Sequence, residues 1–565
     1  MALNAETGDQ LDARGGGGFS RRQLLRGAVG ATALATFAPS AAWASRAGGA
    51  YPGLPSAETL WDWQHQLVGF GTRYTGSPGH TRFIDWIADQ MAHVPGFRVQ
   101  RDRKTFDRWL AQRSALSVSQ PSTSGPSGPV ELAYYYPYSG ATPAGGVTGK
   151  LVNLGTYEPA AVGTSGTGAG AAFWAAAAGG VALVKAPPST FTFSPSSAAT
   201  GGYERGKTSA QAAQDYTTDN AVLTNPAFVG IFSPVALADA KAAGVKAVLV
   251  SYTGMSAGMV ANQYNPFITP YPSASGKPAP GDPGCPAVWV AEGTGSQLAR
   301  AAASGAATAH VTLTASITAG AATDTVWGVL PGTDPTAKPL IVNTHTDGPN
   351  ATEENGALGM IALARYFARR RHRRPIYFAF VTGHFQMPQF TSPIVPPRPE
   401  VGSDATSVWM NDHPEIYRNA VAGLTVEHLG CRQWVDVAGG YTATGRYDWG
   451  VTYTTQRSAS LSPTNIEQRA WLDALRAVDS CGHPVGPNAT VQPTPLYLGE
   501  GAPLYAGGLG TVSLVPLPTY LLQAGSRERP GQLDLEKLDR NLAYAQVLAF
   551  ARTIATLDAA PDAAF

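Results

Sequence analysis

The spacing of apolar residues divides the chain into three stretches. In the first, Phe83, Ile84, Ile87 and Met91 share one helical face, and the alternating Phe97 and Val99 then predict a strand. Between residues 126 and 318 the runs shorten. Alternating segments at 149–154, 181–185, 247–251, 287–291 and 309–314, separated by Gly, Ser, Thr and Pro, predict strands. Residues 234–243 predict a helix that leads through Gly244 into a strand, and the nearly low-complexity residues 157–180 predict a flexible insertion. From Thr325 the longer pattern returns. A strand at 340–344, a helix from 357 to about 371 and a strand at 376–381 form one βαβ unit. Residues 424–429 and 512–516 predict further strands, and 535–557 a long closing helix. The expected architecture is α/β. Residues 50–125 and 319–560 contribute a central mixed sheet flanked by helices, with a mostly-β domain inserted at 126–318.

Composition bears on compartment more than on chemistry. A chain of 565 residues is long enough for two or more cores. With 14% charged residues and a formal net charge of +1, no global field steers it towards nucleic acid. The basic run at 369–374 (RRRHRR) lies at a predicted helix C-terminus, where cations complement the dipole, and reads as a solvated face. Cys285, Cys431 and Cys481 allow at most one disulfide and form no Cys-x-x-Cys thiolate site. Near the N-terminus, Ser20-Arg21-Arg22-Gln23-Leu24-Leu25-Arg26 resembles the twin-arginine export motif. An apolar run at 28–38, too short for a bilayer anchor, and an Ala42-Trp43-Ala44 cleavage site follow it. Residues 1–44 are therefore expected to be a signal peptide of a secreted or periplasmic protein with no membrane span.

Candidate chemistry concentrates at residues 340–357, LIVNTHTDGPNATEENGA. A buried strand there runs into His345, Asp347, Glu353 and Glu354, with Gly348, Pro349 and Asn350 marking a turn before the helix. This places a His and carboxylates at the carboxyl end of a sheet, where open α/β folds keep their clefts. The plainer reading is a polar loop whose Glu353 and Glu354 answer the helix dipole.

Several segments, taken in order, resemble the secreted zinc exopeptidases that include aminopeptidase Y, the Streptomyces-type aminopeptidases and glutamate carboxypeptidase. Gly71-Thr72-Arg73-Tyr74-Thr75-Gly76-Ser77-Pro78-Gly79 is similar to that family's G-x-R-x-x-G-S-x-G opening. Residues 238–252 and 286–290 resemble its inserted protease-associated domain. His345-Thr346-Asp347 matches its H-x-D, and Glu354-Asn355-Gly356 its D-N-x-S-G with Glu for Asp. Residues 424–430 resemble the strand that supplies the next acidic ligand, and 501–516 the segment before the last one. The resemblance implies a metallopeptidase with His345, Glu354 and Glu427 as zinc ligands and Asp347 orienting His345. It implies a peptide or small amide as substrate.

The chain also departs from that pattern. Where the family carries Glu-Glu, general base then ligand, this chain has His384-Phe385. Where it ends with a His ligand, Tyr520 is followed by Leu521, Leu522 and Gln523. Both losses fall on the same metal of a two-metal scheme. The expectation is one zinc held by His345, Glu354 and Glu427, with His384 as base or fourth ligand; manganese or iron would also suit these donors. Glu353 is an alternative to Glu354. His428 is expected to face away from Glu427, as neighbours in a strand do. His413 is read as a helix-entry residue. Two other functions compete: a non-catalytic peptidase-like binding protein, and a serine hydrolase using Ser256 of Gly254-Met255-Ser256-Ala257-Gly258, a G-x-S-x-G match.

Overall fold

A computed structural model describes residues 51–565 except 121–126, 158–168, 188–189, 193–198, 221, 225–234, 265–283, 387–404, 438–439, 456–464, 481–488, 493–496 and 525–534. The export-like leader and Cys481 lie outside the described residues. The chain begins with two capped helices. α1 (Ala57–Gly69) starts at Ser56, whose hydroxyl accepts from Thr59 N, and α2 (Pro78–Ala92) starts at Ser77, which does the same for His80 N. Pro78 sits in the first turn of α2, where its missing N–H costs nothing. Phe83, Ile84, Ile87 and Met91 form its buried face, as their spacing requires.

The strands that follow are β1 (Gln100–Ser119), β2 (Val147–Thr156), β3 (Val181–Ala186), β4 (Ala247–Tyr252) and β5 (Ala287–Val290). After helix α3 (Glu292–Ala303) comes β6 (Thr308–Leu330), 23 residues long. Then come β7 (Leu340–His345), α4 (Gly356–Phe367), β8 (Ile376–Val381), α5 (Ala405–Asp412), β9 (Ala422–Val426), β10 (Gly450–Thr455), α6 (Ile466–Ser480), α7 (Gly501–Ala506), β11 (Gly510–Leu514) and α8 (Arg540–Ala559). Among the described residues, one mixed sheet of 15 strands contains the spatial order β5-β4-β3-β2-β6-β8-β7-β9-β11-β10. Helices flank it, as expected for this α/β class.

The long strands β1 and β6 run antiparallel from Gln100 opposite Trp327 to Ser119 opposite Thr308. The chain therefore leaves the β7-containing half and returns to it along one ribbon. The strands between form the far end of the same sheet over two cores of their own, around Trp174 and Trp289 and around Leu183 and Leu313. Strand Gly201–Tyr203 and helix Ser209–Asp219, within the expected insert, instead dock at the opposite edge. There Tyr216 meets Trp449 edge-on at 5.7 Å. The stretch at 157–180 is more ordered than its composition suggests where it is described. A helix spans Ala169–Ala175, and Trp174 is fully buried.

The principal core lies between the β7 half of the sheet and α1, α2, α4, α6 and α8, and includes Phe83, Val342, Ile361, Phe378, Trp471 and Phe550. The basic run is not a solvated face throughout. Arg374 is fully buried, donates to the carbonyls of Lys338, Leu557 and Ala560, and lies 2.7 Å from Asp562. The C-terminal chain folds over it, a contact no local pattern announces. No helix among the described residues is long and apolar enough to cross a membrane.

Candidate metal centre

Neighbouring parallel strands end together at one edge of the sheet. β7 is fully buried and ends at His345, paired in register with Val381 at the end of β8. Thr382 and Gly383 then turn the chain so that His384 opens a short 3-10 turn, and β9 stops at Val426, just before Glu427 and His428. α4 starts close against β9: a Cβ on Gly356 would lie 1.8 Å from the Val426 carbonyl. Only glycine lets the helix start here, and that close approach carries the preceding Glu353 and Glu354 into the same space.

The three histidines are held alike. His345 Nδ1 lies 2.8 Å from the Asp347 carbonyl, His428 Nδ1 2.6 Å from the Pro516 carbonyl, and His384 Nδ1 2.6 Å from Glu500 Oε1. The two carbonyls only accept, so His345 and His428 carry the proton on Nδ1 and present the lone pair of Nε2. The Nε2 atoms of His345 and His428 are buried without a hydrogen-bond partner among the described residues. The rings of His345 and His384 stack with centroids 4.2 Å apart, and His428 stands edge-on to His345 at 6.2 Å. His80, also buried nearby, is different. Its Nδ1 accepts from Gly76 N and its Nε2 meets Thr346 Oγ1 at 2.9 Å, so both nitrogens serve the loop.

Of the two adjacent glutamates, Glu353 is the one that faces the histidines. Its carboxylate lies 3.5 Å from His428 Nε2 and 4.0 Å from His384 Nε2, and its Oε2 has no hydrogen-bond partner among the described residues. Glu354, the expected ligand, instead pairs with the buried Arg73. Glu427 reaches the centre from the other side, with Oε1 accepting from Glu500 N at 2.8 Å. Gly499, at φ +78°, makes room for it: a Cβ there would lie 2.4 Å from Glu427 Oε2.

Burial governs the protonation of these groups. It pushes the Glu353 carboxyl well above the usual carboxylate range, the nearby His384 opposing and Glu354 and Glu427 adding to the rise. It raises Glu354 to about 7 against the pull of Arg73. Burial also holds His345 well below the usual imidazole range, with His384 and His428 adding to the effect, and lowers His428 to about 3. Neutral imidazoles are the form that binds metal.

Two sets of donor atoms lie within 4.8 Å of one another: His345, Glu353 and His384, and His345, Glu427 and His428. Partnerless Nε2 atoms, a partnerless carboxylate oxygen and nitrogen–oxygen mixed donors are what a zinc-type ion takes up, and the fixed Nδ1–H groups are what such ligands require. The residues fit the metal. Beside His384, Phe385 packs with Leu522, Ala524, Tyr74 and Tyr264 in one apolar cluster.

The structure thus brings His345, His384 and Glu427 together, while Glu354 gives one oxygen to Arg73 and keeps Oε2 buried without a hydrogen-bond partner among the described residues. Asp347 also acts otherwise than expected. Its main-chain carbonyl orients His345, while its carboxylate accepts from Thr75 Oγ1, from His384 N and from Phe385 N, fixing the turn that carries His384. His428 belongs to the centre because the strand has ended before it. At φ +52° it is in the left-handed region, so strand alternation no longer governs its direction. His413 enters the helix Pro414–Asn419, with Nε2 2.7 Å from Asp102. Ser256 caps the helix Ala257–Val260, its hydroxyl accepting from Met259 N, and no histidine partner is seen among the described residues. Glu500 carried no signal in the sequence.

No family model matches the sequence, and no curated protein matches it. Solved structures do resemble the fold. The zinc aminopeptidase BSAP from Bacillus subtilis aligns with a TM-score of 0.55 at 13% identity, over 91% of this chain and 98% of that one. A peptidase M28 precursor from Shewanella amazonensis aligns with 0.54 at 13% identity, over 89% and 96%. The aminopeptidase of Aneurinibacillus sp. strain AM-1 aligns with 0.51 at 14% identity, over 88% and 93%. At these identities the likeness establishes a common fold over nearly the whole of each chain.

Proposed function

We propose that the protein is an exported metal-dependent hydrolase of the zinc aminopeptidase or carboxypeptidase type, cleaving a peptide or related amide bond at a single-metal site. The observation that carries this reading is the trio of histidines, each fixed through Nδ1 and turned so that Nε2 faces buried carboxylates. His345, Glu427 and His428 would hold the ion, a His2Glu set that leaves a position open. Bound there, zinc would polarise a scissile carbonyl and acidify a water. His384, on the other side of His345, is placed to take a proton at Nε2, the role the family gives to a glutamate at this position. Asp347 holds the His384 turn, and Glu353 lies between His384 and His428. In the apolar cluster, Phe385 stands where the family has a metal ligand, which supports one ion rather than two.

A cavity of about 910 Å³ opens beside this cluster, lined by Tyr74, Leu110, Leu116, Leu132 and Tyr134 among others. Tyr74 stacks on Tyr264 at 3.7 Å, and Tyr264 meets Phe385 at 5.9 Å, so rings lead from the cavity wall to His384. The segment that resembles a protease-associated insert supplies part of that wall, and none of the metal donors lines the cavity.

Purified protein should carry about one zinc per chain. Chelation should abolish turnover of aminoacyl 4-nitroanilides, and zinc should restore it. His345→Ala and His428→Ala should lose the metal, whereas His384→Ala should keep it and lose turnover. Metal far below stoichiometry, with turnover indifferent to chelators, would overturn the reading. Absence of both metal and turnover would favour a binding protein on this fold.

A further inference from the structure

We propose that Glu500 is the positioning residue that selects the tautomer of His384, and so decides which ring nitrogen faces the centre. The inference rests on the reading of His384 as the proton acceptor. Glu500 is fully buried immediately before α7, and each of its polar groups is engaged. Oε1 lies 2.6 Å from His384 Nδ1, and Oε2 accepts from Thr406 N at 2.7 Å in the first turn of α5. Its main-chain N donates to Glu427 Oε1, and its carbonyl accepts from Asn343 Nδ2 at 2.9 Å. Asn343, on β7, is itself fixed by Thr406 and Thr425. One residue therefore ties His384 and Glu427 to the strand that carries His345.

The chemistry of the two oxygens makes the choice. Thr406 N–H can only donate, so Oε2 must accept. A carboxylate still has an acceptor left for His384 Nδ1–H, and Nε2 then keeps its lone pair. Glutamine has the same size but one acceptor. With its oxygen on Thr406 N–H, its NH2 group would face His384 Nδ1, which would have to accept. The ring proton would move to Nε2, the atom that faces Glu353 at 4.0 Å. Thr406 and His384 together need two acceptors at this position, and a carboxylate supplies both.

The test is two-bond 1H–15N NMR of histidine-labelled full-length protein without metal, with His384→Gln used to assign the resonance. The wild type should show His384 as the Nδ1–H tautomer and Glu500→Gln as the Nε2–H tautomer. With zinc and L-leucyl 4-nitroanilide as probes, Glu500→Gln should bind zinc at wild-type stoichiometry. Its kcat should fall by about 10²–10⁴, while KM changes less than about threefold. Glu500→Asp keeps both acceptor oxygens and should retain the Nδ1–H tautomer with partial recovery of kcat. A wild-type His384 already protonated on Nε2, or an unchanged tautomer in Glu500→Gln, would overturn the proposal. The wild-type tautomer decides the question even where the glutamine variant fails to fold. A wild type that neither binds zinc nor hydrolyses the probe, yet shows the expected tautomers, would remove the hydrolase reading and leave the positioning role standing.

Discussion

Arg73 and Glu354 are 281 positions apart and meet in a fully buried pair. The guanidinium also donates to the carbonyls of Leu67, Gly71 and Asn350, so it clamps the 340–357 loop to the N-terminal helices. A buried cation left without its carboxylate is costly. Glu354→Gln should lower unfolding stability by about 3 kcal/mol while leaving zinc stoichiometry intact, measured by urea denaturation and metal analysis on the same preparation. Loss of zinc with unchanged stability would instead make Glu354 the ligand. The distinction between adjacent glutamates was only partly legible. Both suit a metal, and which one gives an oxygen to Arg73 depends on how distant segments pack.

Helix α6 carries an apolar face into the core, where Trp471 packs on Phe550 at 4.8 Å. Its first turn also buries Glu467, whose two oxygens have no hydrogen-bond partner among the described residues. Burial raises this carboxyl from 4.5 to about 7, a displacement corresponding to about 3 kcal/mol. The folded state therefore holds the proton more tightly than the unfolded state does. Stability from this group is fully present below the unfolded value and is lost as pH rises through about 7. Glu467→Gln should flatten that decline and make the protein more stable than wild type at pH 8, read from urea midpoints across pH 5–8. An unchanged profile would show that the carboxyl finds a partner or solvent. Helical periodicity foretells the buried face of such an element. The cost of one carboxyl on that face depends on what the rest of the fold sets against it.

Across the whole molecule, β1 and β6 join the two halves of one sheet, and the C-terminal chain closes over Arg374 at the entrance to β8. Arg374→Met should cost about 3 kcal/mol, because several carbonyls and Asp562 lose their donor, with zinc content unchanged. Calorimetry beside metal analysis would check this. A negligible loss would mean that the terminal segment contributes little to the fold.

The sequence by itself determined the α/β class and the strands at 340–344, 376–381 and 512–516. Periodicity and turn chemistry act over a few residues, so strand ends can be read from them; that His345, His384 and Glu427 share one neighbourhood came from the order of segments that resembles the zinc exopeptidases. Only the tertiary structure decided the direction of the donors. Glu353 lies 3.5 Å from His428 Nε2, whereas Glu354 gives one oxygen to Arg73. His428 joins the centre because the chain leaves β9 in a left-handed turn, and Glu500 reaches His384 across 116 positions. Side-chain direction at a strand end is set by packing and hydrogen bonds between distant segments, and one-dimensional spacing does not encode those.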